Sequence, residues 1–193
     1  MRGSLKNIQF DYRICLKLGF ALLLLPVRWV LCWLVAILVH EMFHYVAILV
    51  TGGRIYRVNF TANGVTMEAD ITGNRREFAC AMAGPLGSLL LTLLINKAPI
   101  LGACALIQFF VNLLPIYPLD GGRALSCLLF RIAPKFRPDI MRTVSFAFRA
   151  LLLLLGIYLS FIKSLGLLPV ISAAMIVARN INIPCKRSWK RVQ

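Results

Sequence analysis

A chain of 193 residues that is 60% hydrophobic, with a mean hydropathy of +0.80, is too apolar for a soluble domain and reads as an integral membrane protein. A formal charge of +15 raises nucleic acid as a partner, but the basic residues flank apolar runs and form no single stripe, so contact with anionic lipid headgroups accounts for them better. The six cysteines, Cys15, Cys32, Cys80, Cys104, Cys127 and Cys185, include no C-x-x-C pair, which argues against a disulfide framework and a cysteine zinc site.

In chain order, Arg2, Lys6, Arg13 and Lys17 precede the apolar stretch Leu18 to Val27 and imitate a signal peptide. No small-x-small cleavage site ends that stretch, and apolar sequence resumes directly after Pro26-Val27-Arg28, so a first membrane helix and a tight turn are expected. A second helix, from about Trp29 to Thr51, is ended by Gly52-Gly53. Inside it lies His40-Glu41-Met42-Phe43-His44, which contains both histidines of the chain. Residues four apart share one helix face, so His40 and His44 can present imidazoles to one ion, with Glu41 beside them to take a proton from an attacking water. This is the H-E-x-x-H signature of zinc metallopeptidases, in which the Glu is general base. Chance is a poor rival, because ionisable groups inside a membrane segment are costly without a compensating partner.

From Arg54 to Thr72 the texture changes to period-two alternation, which predicts a β-hairpin turning at Asn63-Gly64. It reads either as a connector or as an edge strand able to hold an extended peptide near the metal. A third helix is expected from about Phe78 to Ile95, where Ala79, Ala81, Ala83-Gly84-Pro85 and Gly87-Ser88 would let helices approach closely in lipid. The fourth apolar run, from about Pro99 to Leu119, contains Asn112, Pro115 and Pro118 and leads into Asp120-Gly121-Gly122-Arg123, so a helix that breaks near its end is expected. Broken backbone at membrane depth needs protein or water around it, which makes this break a candidate site wall. Arg123 to Arg149, with Pro134 and Pro138, predicts a short helix plus a basic loop. A fifth helix from about Val144 to Ile162 and a sixth from about Leu165 to Ala178 follow, before a basic tail. The expected fold is an all-α membrane protein of about six transmembrane helices with a short cytoplasmic β-hairpin, forming one domain over 1–193 with its core at 29–125 and no appended soluble domain. With a cytoplasmic N-terminus the outer turns keep only Arg28, Lys97 and Lys163, so the positive-inside rule places both termini in the cytoplasm.

His40-Glu41-x-x-His44 followed by Asn112-x-x-Pro115-x-x-x-x-Asp120-Gly121, in this order within an apolar chain, resembles the site-2 protease family of intramembrane zinc metallopeptidases. The resemblance covers about Trp29 to Leu125 and is strongest to the short branch that includes stage IV sporulation protein FB. It implies Zn2+ bound by the two His and the motif Asp, Glu41 as catalytic base, and cleavage of membrane-bound protein substrates in or near their transmembrane segments, often to release a signalling factor. The implied setting is the bilayer of a bacterial cytoplasmic membrane, with a regulatory membrane protein as a further partner. The chain departs from the family at Phe43, where members commonly have Gly, and at Ser88, where they commonly have Asn.

Asp120 is also reached by elimination. Two His leave a catalytic zinc short of one protein ligand. Asp11, Glu68, Asp70, Glu77 and Asp139 fall in cytoplasmic or interfacial segments, and Glu41 is reserved as base. Cys80, Cys104 and Cys127 are rival donors, and a turn or helix cap before Gly121-Gly122 is the rival role for Asp120. Asn112 reads as a hydrogen-bonding group that positions the substrate backbone, or as a packing residue in the broken helix. An ion or proton transporter and a non-catalytic adaptor are the alternatives from other classes. The first would arrange its ionisable groups as a relay, and the second has no need of the complete motif.

Overall fold

The computed structural model describes residues 7–10, 12–61, 64–71, 73–135, 137–161 and 174. These fall into two compact units, one up to Asn112 and one from Leu113 onward. Most described residues are helical.

In the first unit, α1 (Arg13–Leu24) starts five residues before the Leu18 expected from the apolar run, since Ile14 and Leu16 extend its apolar pattern toward the N-terminus. Pro26 stands at the N-cap of α2 (Val27–Val50) and separates the two helices. Beyond Val50, Gly52 adopts φ 77°, its N–H donates to Leu49 O, and the Gly53 N–H donates to Ile48 O. That pair of reverse bonds is a Schellman closure, and it explains why the helix stops within two turns of His44. Val30, Ala36, His40, His44 and Ile48 are the buried residues of α2, the last four spaced by four so that they form one stripe.

The chain then forms β2 (Arg54–Thr61) and β3 (Gly64–Asp70), paired antiparallel with Thr61 opposite Gly64, as the hairpin reading expected. Asn63, named there as a turn residue, lies outside the described residues. A bulge falls between Ile55 and Arg57, and Arg57 faces Glu68 across the strands at 3.9 Å. A third strand, β1 (Asn7–Phe10), pairs parallel with β2 and gives the order β1-β2-β3. The sheet is seated by Ile55, which shares a buried cluster with Ile48 of α2 and Cys80 farther along the chain, bordered by Val58, Met67, Ala69 and Ile71.

Helix α3 (Asn74–Thr92) buries Cys80, Ala81, Gly84, Pro85, Gly87 and Ser88. This stripe of small side chains runs along α2, as the sequence pattern anticipated. Helix α4 (Pro99–Leu113) places Cys104 and Ala105 against Ala36 of α2.

The second unit opens with the expected break at residues 114–119, followed by α5 (Asp120–Ile132) and α6 (Arg137–Phe161). Helix α6 begins earlier than the expected Val144. Pro138 occupies its first turn, where the missing N–H costs nothing, so a residue read as a breaker is a helix starter. Helices α2 and α6 have the length and hydropathy to cross a membrane, and α4 is a shorter apolar helix. The expected sixth helix lies outside the described residues, apart from residue 174.

Candidate metal centre

Both motif histidines are buried, at 3% exposure for His40 and 8% for His44, on the face of α2 that meets α3. His44 Nδ1 lies 2.8 Å from the carbonyl oxygen of Cys80. A carbonyl can only accept, so Nδ1 carries the hydrogen and, in the neutral ring, Nε2 is the acceptor. His40 Nδ1 lies 2.9 Å from the hydroxyl of Ser88, which is fully buried. Two turns of one helix therefore orient both rings, whose centroids are 4.9 Å apart with planes at 83°.

The Nε2 edges of those rings converge on Gly84. A Cβ at that position would stand 2.6 Å from His40 Nε2 and 2.7 Å from His44 Cε1, and would overlap His44 Nε2. The hydrogen on Gly84 is what leaves room in front of the two nitrogens. Engaged Nδ1 atoms, converging Nε2 atoms and a cradle that a methyl group would fill are the arrangement expected of histidines prepared for a metal ion. From α4, Asn112 brings its Nδ2 to 3.5 Å from His40 Nε2, so its amide belongs to the same edge of the site. Glu41 is half-buried on the same turn of α2.

Phe43, bulky where the family commonly has Gly, rests against a second glycine: a Cβ on Gly87 would come within 2.5 Å of the Phe43 ring. The volume gained on α2 is given up on α3, which keeps the two helices close enough for Ser88 and Cys80 to reach the histidines.

In the second unit, Asp120 is buried and is the first residue of α5. The N-cap position belongs to Leu119, which places Asp120 in the first turn of the helix. Its carboxylate stands at the positive end of the helix dipole, with Arg123 Nη1 3.7 Å from Oδ1. Each of the three residues expected to bind a metal is thus buried within its own unit, His40 and His44 in the first and Asp120 in the second.

Residues 13–118 match the family model described as Peptidase M50B-like. The chain belongs to the Peptidase M50B-like family. The resemblance to site-2 proteases drawn from the two motifs is thereby borne out. A curated relative of this family member, Stage IV sporulation protein FB of Bacillus subtilis (strain 168), is 35% identical over 118 residues, which cover 54% of this chain and 41% of that protein. The chain thus spans less than half the length of the curated relative it matches. The solved structure of the Site-2 Protease from Methanocaldococcus jannaschii matches with a TM-score of 0.64 and 19% identity, covering 95% of each chain, and shows that the M50B-like chain has that fold.

Sequence reasoning singled out His40, Glu41, His44, Asn112 and Asp120. It did not foresee that Ser88, the Cys80 carbonyl and Gly84 meet the two imidazoles: Ser88 stood out only as a departure from the family's Asn, Cys80 only as a rival thiol donor, and Gly84 only as part of a small-residue stripe.

Proposed function

We propose that this chain is a zinc-dependent intramembrane endopeptidase that hydrolyses peptide bonds in or near the transmembrane segments of membrane-bound proteins. The observation that carries the reading is the pair of Nε2 atoms converging over Gly84 with both Nδ1 atoms already engaged by α3. A relay for transported ions has no need of that cradle. M50 peptidases are zinc metalloproteases, and the matched relative is a sporulation protein, which supports regulated release of a signalling factor as the setting.

His40, His44 and Asp120 would hold the ion, which supplies Lewis acidity for the scissile carbonyl and makes water nucleophilic near neutral pH. Glu41 accepts the proton of the attacking water and delivers it to the leaving amine. Asn112, whose amide shares the His40 edge, donates a hydrogen bond that orients the substrate backbone. The substrate helix must unwind locally, because its carbonyls are otherwise engaged and covered, so helix-breaking residues near the cleaved bond are favoured. Strand β3, at the edge of the sheet order, offers backbone groups for an extended segment to pair with.

The ligand role of Asp120 is tested by substitution. Asp120→Ala should lower zinc content and cleavage together, whereas alanine at Cys80, Cys104 or Cys127 should leave both largely unchanged. Full zinc occupancy in Asp120→Ala, measured by metal analysis, would contradict the assignment.

We place the chain in a bacterial cytoplasmic membrane as a single multi-pass domain of about six spans with cytoplasmic termini, on the distribution of basic residues. Reporter fusions after Asp70 and Pro138 should read cytoplasm, and a fusion near Lys97 should read the outside. An outside signal after Pro138 would show the spans to be miscounted.

A further inference from the structure

The backbone between α4 and α5 is broken where an apolar chain can least accommodate it. Pro115 and Pro118 remove two N–H donors and prevent a continuous helix, so the polar groups of residues 114–119 lose their helical partners. In lipid such groups must find partners inside the protein. Some do so locally: Leu119 N–H donates to Ile116 O at 2.8 Å, and Arg123 N–H to Leu119 O at 2.9 Å. Tyr117 is served from elsewhere. Its N–H donates to Ser145 Oγ at 3.1 Å, and its carbonyl accepts from Arg149 Nη2 at 2.9 Å.

Ser145 and Arg149 are one turn apart on α6, both buried, in the helix whose apolar stretch is long enough to cross the membrane. An arginine within such a helix is expensive and calls for a functional reason. The peptide it grips lies three residues before Asp120. The intervening chain has little freedom. A Cβ on Gly122 would meet Ile116 C and O and Tyr117 N at 2.6 Å, and one on Gly121 would overlap the backbone of Leu113. The first turn of α5 therefore rests directly on the stretch that α6 holds, and a shift at Tyr117 is passed to Asp120.

We propose that Arg149 and Ser145 are positioning residues for the Asp120 ligand, acting through the backbone of Tyr117. The inference rests on the reading of Asp120 as a metal ligand. A role limited to satisfying the broken backbone would change stability alone; a positioning role also changes metal affinity, and does so only while Asp120 is present.

The test is a double-substitution cycle on the full chain purified in detergent, with Zn2+ affinity read by chelator competition. Arg149→Met should weaken Zn2+ binding about tenfold, the lower end of what outer partners of metal ligands contribute. Ser145→Ala should weaken it about threefold, in keeping with a single neutral hydrogen bond, and Arg149→Lys, which keeps a donor, should recover most of the wild-type affinity. In the Asp120→Ala background, Arg149→Met should cause no further loss. Losses that multiply in the double variant would overturn the proposal, because Arg149 would then act independently of Asp120. Wild-type affinity in Asp120→Ala would instead overturn the ligand reading on which the proposal stands. If Arg149→Met does not fold, Ser145→Ala carries the same cycle, and unchanged affinity in that variant overturns the proposal.

Discussion

Replacing Gly84 by Ala should strip the centre of its metal. The added methyl group would lie 2.6 Å from His40 Nε2 and closer still to His44 Nε2, in the space toward which both lone pairs point. Neither ring can swing aside cheaply, because each is tied by its Nδ1 to α3, the helix that carries residue 84. The methyl either occupies the seat of the ion or breaks those bonds. Loss of an outer partner alone typically lowers metal affinity 10- to 100-fold, so the combined effect should reach at least about 100-fold. Packing strain from one extra methyl in a close helix contact adds on the order of 1–3 kcal/mol of destabilisation, which a thermal melt of the metal-free protein measures separately. Wild-type zinc affinity in Gly84→Ala would mean that the two imidazoles do not share an ion in front of that glycine.

Glu41→Gln should separate binding from chemistry. The amide keeps the shape of the carboxylate and cannot accept the proton of an attacking water, and general-base catalysis contributes about 10²- to 10⁴-fold to such reactions. Cleavage should therefore fall by at least about 100-fold while zinc stoichiometry stays near that of the wild type, as the proposed role of Glu41 as base rather than ligand requires. Loss of zinc from Glu41→Gln would move the residue into the ligand set and leave the reaction without its base.

The parts of the centre that sequence made legible are those with local or compositional constraints. His40 and His44 share a face because four residues make about one turn, and the small-residue stripe at 80–88 announces a close helix contact whatever its partner. Asp120 could be proposed because membrane depth leaves few acids to choose from. What stayed hidden depends on contacts between distant segments. Ser88 meets His40 across 48 residues, and Gly84 matters only because two rings happen to lie over it. The parallel pairing of β1 with β2 has no local signal either, since a four-residue strand ahead of the first helix shows too little alternation to be read. The early start of α6 was misread for a different reason: proline breaks a helix interior but fits its first turn, and periodicity alone does not say which end is which. Arg149 looked like one more basic residue beside a membrane segment, and its grip on Tyr117 gives it a different meaning.

The central claim is that this chain cuts membrane proteins with Glu41 as its base. The most direct measurement is mass spectrometry of peptide termini in membranes from cells producing the wild-type chain or Glu41→Gln at equal levels. The account predicts new termini within or beside transmembrane segments of membrane proteins in the wild-type sample and their absence with Glu41→Gln. The same termini in both samples, or none in either, would contradict it.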